Sequence, residues 1–239
     1  MLDRIHAARR YNMTCTTKVL IGLGLFLISW CAAFPQDEGD DNPAGNVHLG
    51  MPIGAPLNPM ARFTDFGLGI STGGGYNFTR RHGVIGEFMW THLFVPGNAL
   101  SAIRTASQDP SISGRGELYS FTGNYRFELR GKASGTYLIG GGGLYYRTAE
   151  LSHKVVTGNA VKCEPVWNWW GFACSSGFVT SNQTIAGSSS SALGVNGGIG
   201  FTARVSEAPY RVYVESRYHF APTKSVNTQL VVLTVGIRY

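Results

Sequence analysis

The side chains that could support catalysis are scattered along this sequence. Its histidines stand singly, and His219, with Glu215 and Ser216 nearby, forms the only local grouping of an acid, a base and a hydroxyl. In the extended pattern described below, Ser216 falls on the opposite strand face from the other two, which excludes a nucleophile–base contact within that strand. Residues 198–203 match a loose dinucleotide fingerprint, but no helical segment follows them. We therefore expect no catalytic residues, no cofactor and no metal site.

A second group of reactive side chains consists of charged residues that recur at alternate positions. They share a strand face with glycine and small polar residues, and the chemistry open to them is ion pairing or the gating of a solute. The set comprises Glu87, Arg126, Glu128, Arg147, Arg204, Glu215 and Arg217.

The segment CEPVWNWWGFAC, from Cys163 to Cys174, could carry binding chemistry. An isolated cysteine pair in an exported protein favours a disulfide, and closing a loop of this size contributes about 3 kcal/mol. The aromatic residues between the cysteines could bind a glycan, an envelope lipid or a protein, or they could pack on neighbouring loops or dip into a lipid leaflet. These candidates are Trp167, Trp169, Trp170 and Phe172.

The elements that position these groups are strands, because the dominant sequence pattern from residue 47 onward has a period of two. In residues 228–239, for example, Val231, Leu233 and Val235 share one face, and the other face carries Thr228, Thr234 and Arg238 besides two aliphatic residues. Strict alternation of this kind places the two faces of a strand in different media. Eight such segments are predicted, at residues 46–53, 66–78, 83–93, 117–129, 136–148, 193–205, 211–220 and 228–239.

The links between these segments alternate in length. Short polar links occupy residues 79–82, 130–135 and 206–209, whereas residues 94–114 and 150–191 form long loops. This alternation indicates antiparallel strands that run up and down, with the short turns at one end and the long loops at the other.

The bulk of the apolar face indicates which way the strands point. Eight strands enclose a lumen that side chains nearly fill, so glycine, small polar residues and a few charges should face inward and the large residues outward, toward lipid. Charged residues are only 14% of the chain and glycine accounts for 32 of 239 residues, which argues against disorder and against a helical enzyme. Aromatic residues near the segment ends suit the girdles of a membrane barrel. A soluble sandwich with an aromatic core is the alternative.

Inside such a barrel, unpaired charge would cost several kcal/mol. We therefore expect a paired network in which Glu87 and Glu215 contact Arg126, Arg147 and Arg217. A structural plug is favoured over an ion or solute gate, because eight-stranded barrels seldom leave an aqueous channel.

Several motifs carry a family resemblance. GGGYNF at residues 73–78, YLIGGGGLYYR at 137–147, YVESRYHF at 213–220 and the closing VGIRY resemble the small bacterial outer-membrane barrels typified by the OmpA membrane domain, OmpX and OmpW. The resemblance covers residues 46–239 and does not extend to a peptidoglycan-binding domain. It implies that Tyr239, the terminal aromatic residue, is the signal recognised by the barrel-insertion machinery.

The N-terminal region has the features of a secretory signal. Arginine and lysine residues precede an apolar run at residues 19–33 that ends in small residues. The run is too short for a membrane-spanning helix, and Trp30 disfavours a lipoprotein anchor on Cys31. We therefore divide the chain into a signal peptide (1–33), an acidic linker (34–45) and the barrel (46–239).

These observations predict an all-β protein, an eight-stranded antiparallel up-and-down transmembrane β-barrel with short periplasmic turns and long extracellular loops. Its expected location is the outer membrane of a Gram-negative-type bacterium, with a structural or surface-interaction role and no enzymatic activity. The alternative is a narrow passive channel for a small, perhaps hydrophobic, solute. The expected partners are outer-membrane lipids, the insertion machinery and a surface glycan or protein. Nucleic acid is excluded, because no cluster of lysine and arginine forms a binding patch.

Overall fold

The fold is taken from a computed structural model that describes residues 45–131, 133–166, 171–205 and 210–239. Eight strands follow one another along the chain, each antiparallel to the next, and the last pairs with the first to close a barrel. The predicted eight-stranded antiparallel barrel is therefore confirmed. The strands are β1 (Gly45–Pro56), β2 (Gly67–Asn77), β3 (His82–Phe94), β4 (Ser113–Arg130), β5 (Ser134–Val166), β6 (Gly171–Arg204), β7 (Arg211–Ala221) and β8 (Thr228–Arg238).

The seam between β1 and β8 is fully paired. It runs in register from His48 opposite Arg238 to Pro56 opposite Leu230. The C-terminal Tyr239 continues the seam, because its backbone N–H donates to Val47 O at 2.9 Å and its carbonyl accepts from Val47 N at 3.0 Å. Closure of this kind satisfies the backbone groups that a sheet edge would leave unpaired.

The two faces of the barrel wall have the polarity that the alternation predicts. Large apolar side chains cover the outside, among them Leu193 at 75% exposure and Phe121 at 68%, whereas Glu87 and Arg126 point inward and are only 4% and 2% exposed. The aromatic residues predicted at the strand ends also lie on the outer face. Exposed members are Tyr76, Phe78, Tyr125, Tyr146, Tyr218 and Tyr239.

The lumen is bulkier than the sequence suggested. Besides small polar residues it holds three buried tyrosine rings, Tyr137, Tyr145 and Tyr213, although aromatic residues were expected to crowd it. Glycine makes room for these rings. A Cβ atom on Gly194 would lie 2.8 Å from the ring of Tyr145, and one on Gly236 would lie 2.7 Å from the ring of Tyr213.

The connections at one end of the barrel are more structured than the pattern indicated. The β1–β2 link contains a short 3-10 turn (Met60–Arg62), and the β3–β4 link contains helix α1 (Gly97–Ser107), whose Leu100 is buried. None of the helices in the described ranges is long and apolar enough to cross a bilayer.

Residues 150–191 were expected to form a loop, but the described residues 150–166 and 171–191 instead continue β5 and β6. These two strands pair with each other as far as Val166 opposite Gly171. Pairing of β5 with β4 ends at Ser152 and pairing of β6 with β7 ends at Val195, so the outer part is a two-stranded ribbon. The loop prediction was wrong because polar β-branched residues stabilise strands without producing an apolar alternation.

Candidate functional site

The middle of the lumen holds a compact group of ion pairs. Arg217 donates to Glu87 at 2.6 Å between Nη2 and Oε2, and its Nε also contacts Glu215. His48 Nε2 lies 3.0 Å from the same oxygen of Glu87. Strands β1, β3 and β7 supply these groups from different sides of the barrel. The cluster therefore ties distant walls together across a lumen that its side chains occupy.

A second group of charges lies nearer the short-turn end. Glu128 is 3.3 Å from Arg126 and 3.5 Å from Arg238. Arg126 also donates to Asn77 Oδ1 at 2.8 Å, and the guanidinium of Arg238 sits 4.7 Å from the centre of the Tyr137 ring. Arginine is well suited to this crowded setting, because its planar guanidinium can donate several hydrogen bonds and stack on a ring.

Two arginines predicted for the lumenal network lie outside it. Arg147 is half-buried at the long-loop end, where it donates to Thr228 Oγ1 and Lys224 O, both at 3.4 Å. Arg204 is exposed at the last position of β6. Strand phase correctly aims a side chain toward one face, but it does not fix the height at which that side chain lies, and both residues stand too close to a rim to reach Glu87 or Glu215.

Other buried groups of the lumen were not predicted from the sequence. His48 belongs to the first charge cluster and Arg238 to the second. The hydroxyl of Tyr145 is 2.9 Å from His219 Nδ1. Asn196 donates to Asn124 Oδ1 at 2.9 Å across the barrel. The strand phase of β8 could have indicated Arg238, whereas β1 alternated too weakly to indicate His48.

An apolar layer closes the lumen above these polar groups, toward the long-loop end. It consists of buried residues from the β1–β2 link and several strands, with Met60, Leu93, Leu118 and Leu230 exposed by 1% or less. A layer of this composition cannot solvate a passing ion, and hydrophobic constrictions of this kind oppose conduction by excluding water.

The connection between α1 and β4 is fastened to β5 outside the barrel. Asp109 accepts hydrogen bonds from Ser111 Oγ at 2.6 Å and Ser111 N at 2.8 Å, and lies 3.2 Å from His153 Nδ1. Chiefly because of the hydrogen bonds from Ser111, and to a smaller extent because of His153, the pKa of Asp109 is lowered from its usual 3.8. The charged carboxylate of Asp109 therefore links the α1–β4 connection to the base of the ribbon.

The projecting ribbon consists of residues 153–166 of β5 and 171–183 of β6. At about 3.3 Å per residue, the β5 portion extends for roughly 45 Å. Within the described strands, these residues pair only with each other. The register places Cys163 directly opposite Cys174. Trp167, Trp169 and Trp170 lie outside the described residues.

The remaining predictions concern chemistry. Ser216 points outward while Glu215 and His219 are buried in the lumen, so the three do not form a catalytic group. Among the residues that the structure describes, no cluster of His, Cys, Asp and Glu could hold a metal ion. The proposed signal peptide and acidic linker lie outside the described residues, apart from Gly45, which begins β1.

Comparisons with known proteins yield similarity of fold at low sequence identity. No family model matches the chain, and no curated protein matches it. Solved structures with a similar fold include Ail, the attachment invasion locus protein of Yersinia pestis, at 16% identity and a TM-score of 0.48, covering 82% of this chain and 97% of that one.

Two further solved structures also have a similar fold. Neisserial surface protein A is 14% identical with a TM-score of 0.46, covering 83% of this chain and 98% of its own. OprG from Pseudomonas aeruginosa is 15% identical with a TM-score of 0.43, covering 82% and 95%. The evidence for the barrel itself is the strand pairing described above.

Proposed function

We propose that the chain is an integral outer-membrane protein in which a filled barrel anchors a projecting ribbon that makes contacts at the cell surface. One observation carries the membrane assignment: a closed barrel exposes large apolar side chains around its outside and keeps its charges inside. Soluble proteins rarely expose so much contiguous apolar surface, and a bilayer accepts only strands whose backbone groups are all paired.

The proposed orientation places the short turns in the periplasm and the ribbon outside the cell. Export through a signal peptide at residues 1–33, cleaved before the acidic linker, would deliver the chain to this membrane. Tyr239 is proposed as the insertion signal, and its exposed ring at the short-turn end of the β1–β8 seam leaves it accessible to the machinery. Mass spectrometry of the mature N-terminus tests the cleavage; a chain that still begins at Met1 would contradict it.

The barrel is proposed to be a plug and not a channel. Ion pairs fill its middle and an apolar layer closes it toward the long-loop end. Purified protein in planar bilayers should therefore give no stable open channel. Stable single-channel conductance in most bilayers would support the alternative of a passive channel and would overturn the plug.

No catalytic role is proposed for the barrel. His219, the strongest catalytic candidate in the sequence, is buried against Tyr145, and its neighbour Ser216 faces the other way. The interacting part is instead proposed to be the ribbon. In the described part of the chain, the outer edges of its two strands pair with no other strand and could bind a partner. Its outermost segment carries the aromatic residues Trp167, Trp169, Trp170 and Phe172.

We further propose a disulfide between Cys163 and Cys174, which would hold the two strands together near this outermost segment. Directly opposed residues of an antiparallel pair lie about 4.5–5.5 Å apart between Cα atoms, within the range that a disulfide bridges. Unreduced, denatured mature protein should not react with a maleimide, and reduced protein should take up two labels. Two labels without reduction would exclude the bond.

Ribbon deletion tests the surface role. A variant in which a short turn replaces residues 155–181 should keep the barrel and its heat-dependent shift in gel mobility, because those residues pair only with each other in the described structure. Cells that express the intact protein should be retained on at least one of a panel of immobilised glycans and matrix proteins, and cells with the deletion should not. Equal retention, or no retention of either, would contradict the proposal.

A further inference from the structure

The long-loop end contains a cavity of about 370 Å³ that none of the roles proposed above uses. Phe63 of the β1–β2 link, Leu100 and Ile103 of α1 and Val226 of the β7–β8 link contribute apolar side chains. The β6 wall, residues 186–190, consists of alanine, glycine and serine. The volume falls in the range of small-molecule sites, which are typically apolar with a few polar groups that orient the ligand.

The cavity is closed toward the barrel. Met60 and Leu93 form its floor, and both belong to the apolar layer above the lumenal ion pairs, with 1% and 0% exposure. A molecule that entered from outside would meet this layer and stop. The geometry therefore fits a binding site and does not fit part of a transport path.

Among the described residues of the cavity wall, one of the two arginines has no carboxylate partner, and it indicates which apolar molecules would fit. Arg147 is half-buried there, and its only hydrogen bonds within the described chain are the two long ones, at 3.4 Å, to neutral oxygens of Thr228 and Lys224. Arg115 in the same wall is neutralised by Glu150 at 2.6 Å. No carboxylate of the described residues pairs with Arg147 in this way.

We infer that this cavity binds a small amphiphile with one anionic head group, whose apolar part lies among Leu100, Ile103 and Met60 and whose head group pairs with Arg147. A guanidinium can bind a carboxylate with two parallel hydrogen bonds, which would replace two weak contacts. A neutral molecule of the same shape would gain only the apolar contacts. The site is independent of the ribbon and of its proposed role.

Decanoate is a suitable probe, with decanol as its uncharged counterpart. The protein is reconstituted in phosphatidylcholine nanodiscs, and equilibrium dialysis is compared with empty nanodiscs to subtract partitioning into lipid. We expect saturable binding of about one decanoate per protein and at least about tenfold weaker binding of decanol, since a hydrogen-bonded charge contributes roughly 1.5–3 kcal/mol. No saturable binding above the blank, or equal binding of the two molecules, would overturn the inference.

Two variants locate the site. Arg147→Met keeps the length of the side chain and removes its charge, so decanoate binding should fall about tenfold while decanol binding stays unchanged. Ala149→Trp should fill the cavity and remove binding of both, whereas Val156→Trp, on the exposed ribbon, is the control that should change neither. Unchanged decanoate binding in Arg147→Met would contradict the assignment.

Photo-crosslinking covers the case in which these variants do not fold. A decanoate analogue with a diazirine at the tail, bound to the wild-type protein, should label peptides that contain Met60, Leu100 or Ile103. Labelling confined to the lipid-facing residues of the barrel or to the ribbon would overturn the inference.

Discussion

At the residue scale, the lumen depends on charges that are useful only in pairs. Arg217 lies between Glu87 and Glu215, and His48 adds a contact to Glu87. Burying such groups costs several kcal/mol each, and removing one partner of a buried pair costs more than the pair contributes. The network therefore serves to hold the walls in one arrangement and to fill the space between them.

Glu87→Gln should lower the free energy of unfolding by about 3 kcal/mol, because it leaves Arg217 with one carboxylate in place of two. Glu150→Gln is the matched control. Its partner Arg115 is 57% exposed, so its loss should cost under about 1 kcal/mol. Urea titration in lipid vesicles, followed by tryptophan fluorescence, measures both. Equal effects of the two variants would show that the buried Glu87–Arg217 pair contributes no more to the free energy of unfolding than the exposed Glu150–Arg115 pair.

Neighbouring glycines in β2 give a second comparison at this scale. A Cβ atom on Gly73 would lie 2.5 Å from His48 Cε1, whereas one on Gly74 would find its nearest atom at 3.6 Å. Gly73→Val should therefore destabilise the barrel by about 1–3 kcal/mol through overpacking. Gly74→Val should be neutral or slightly stabilising, since a β-branched residue suits an outward strand position. The same urea titration measures both, and the reverse order would mean that the faces are assigned wrongly.

At the element scale, period-two alternation identified all eight strands, and the alternating lengths of the links predicted their antiparallel order. It placed the boundaries of β7 and β8 within a residue, because those strands end where the barrel wall ends. It failed for the outer halves of β5 and β6. Both faces of these halves meet water, so apolar residues do not recur at every second position. Helix α1 was missed for a related reason, since only Leu100 is buried and one apolar contact leaves no periodic signal.

The contacts of the Asp109 carboxylate should make the α1–β4 connection sensitive to acid. The folded pKa of this carboxyl is lowered, so its contribution to stability is complete above the unfolded value of 3.8 and is lost as pH falls through the lower folded value. Hydrogen exchange of residues 97–112, corrected for the intrinsic pH dependence, should be less protected at pH 2.5 than at pH 6.

Asp109→Asn is the control for this effect, because the amide retains an oxygen that can accept from Ser111 and loses the charge. Protection of the connection in this variant should be lower at pH 6 and should change little on acidification. If the variant keeps the acid sensitivity of the wild type, another group is responsible for it.

At the scale of the whole molecule, the fold follows from the difference between the lipid outside the barrel and the polar lumen inside it. Large residues at alternate positions predicted the outer surface, and the closed β1–β8 seam shows how the backbone can be satisfied there. The lumenal partners were less predictable, since pairing across the barrel depends on the height of each side chain and on register. The sequence alone placed Glu87, Glu215 and Arg217 together, but it could not show that Arg147 lies near a rim, where it serves the apolar cavity.

The central claim is that large side chains face lipid and small or charged ones face the axis. Spin labels at the adjacent residues Phe121 and Thr122 test it most directly, in a variant with serine at Cys163 and Cys174 and reconstituted into liposomes. The exposed fractions of 68% and 3% predict a label at 121 that is relaxed strongly by oxygen dissolved in the bilayer and a label at 122 that is shielded from it. A label at 122 that meets the lipid, with one at 121 shielded, would contradict the account.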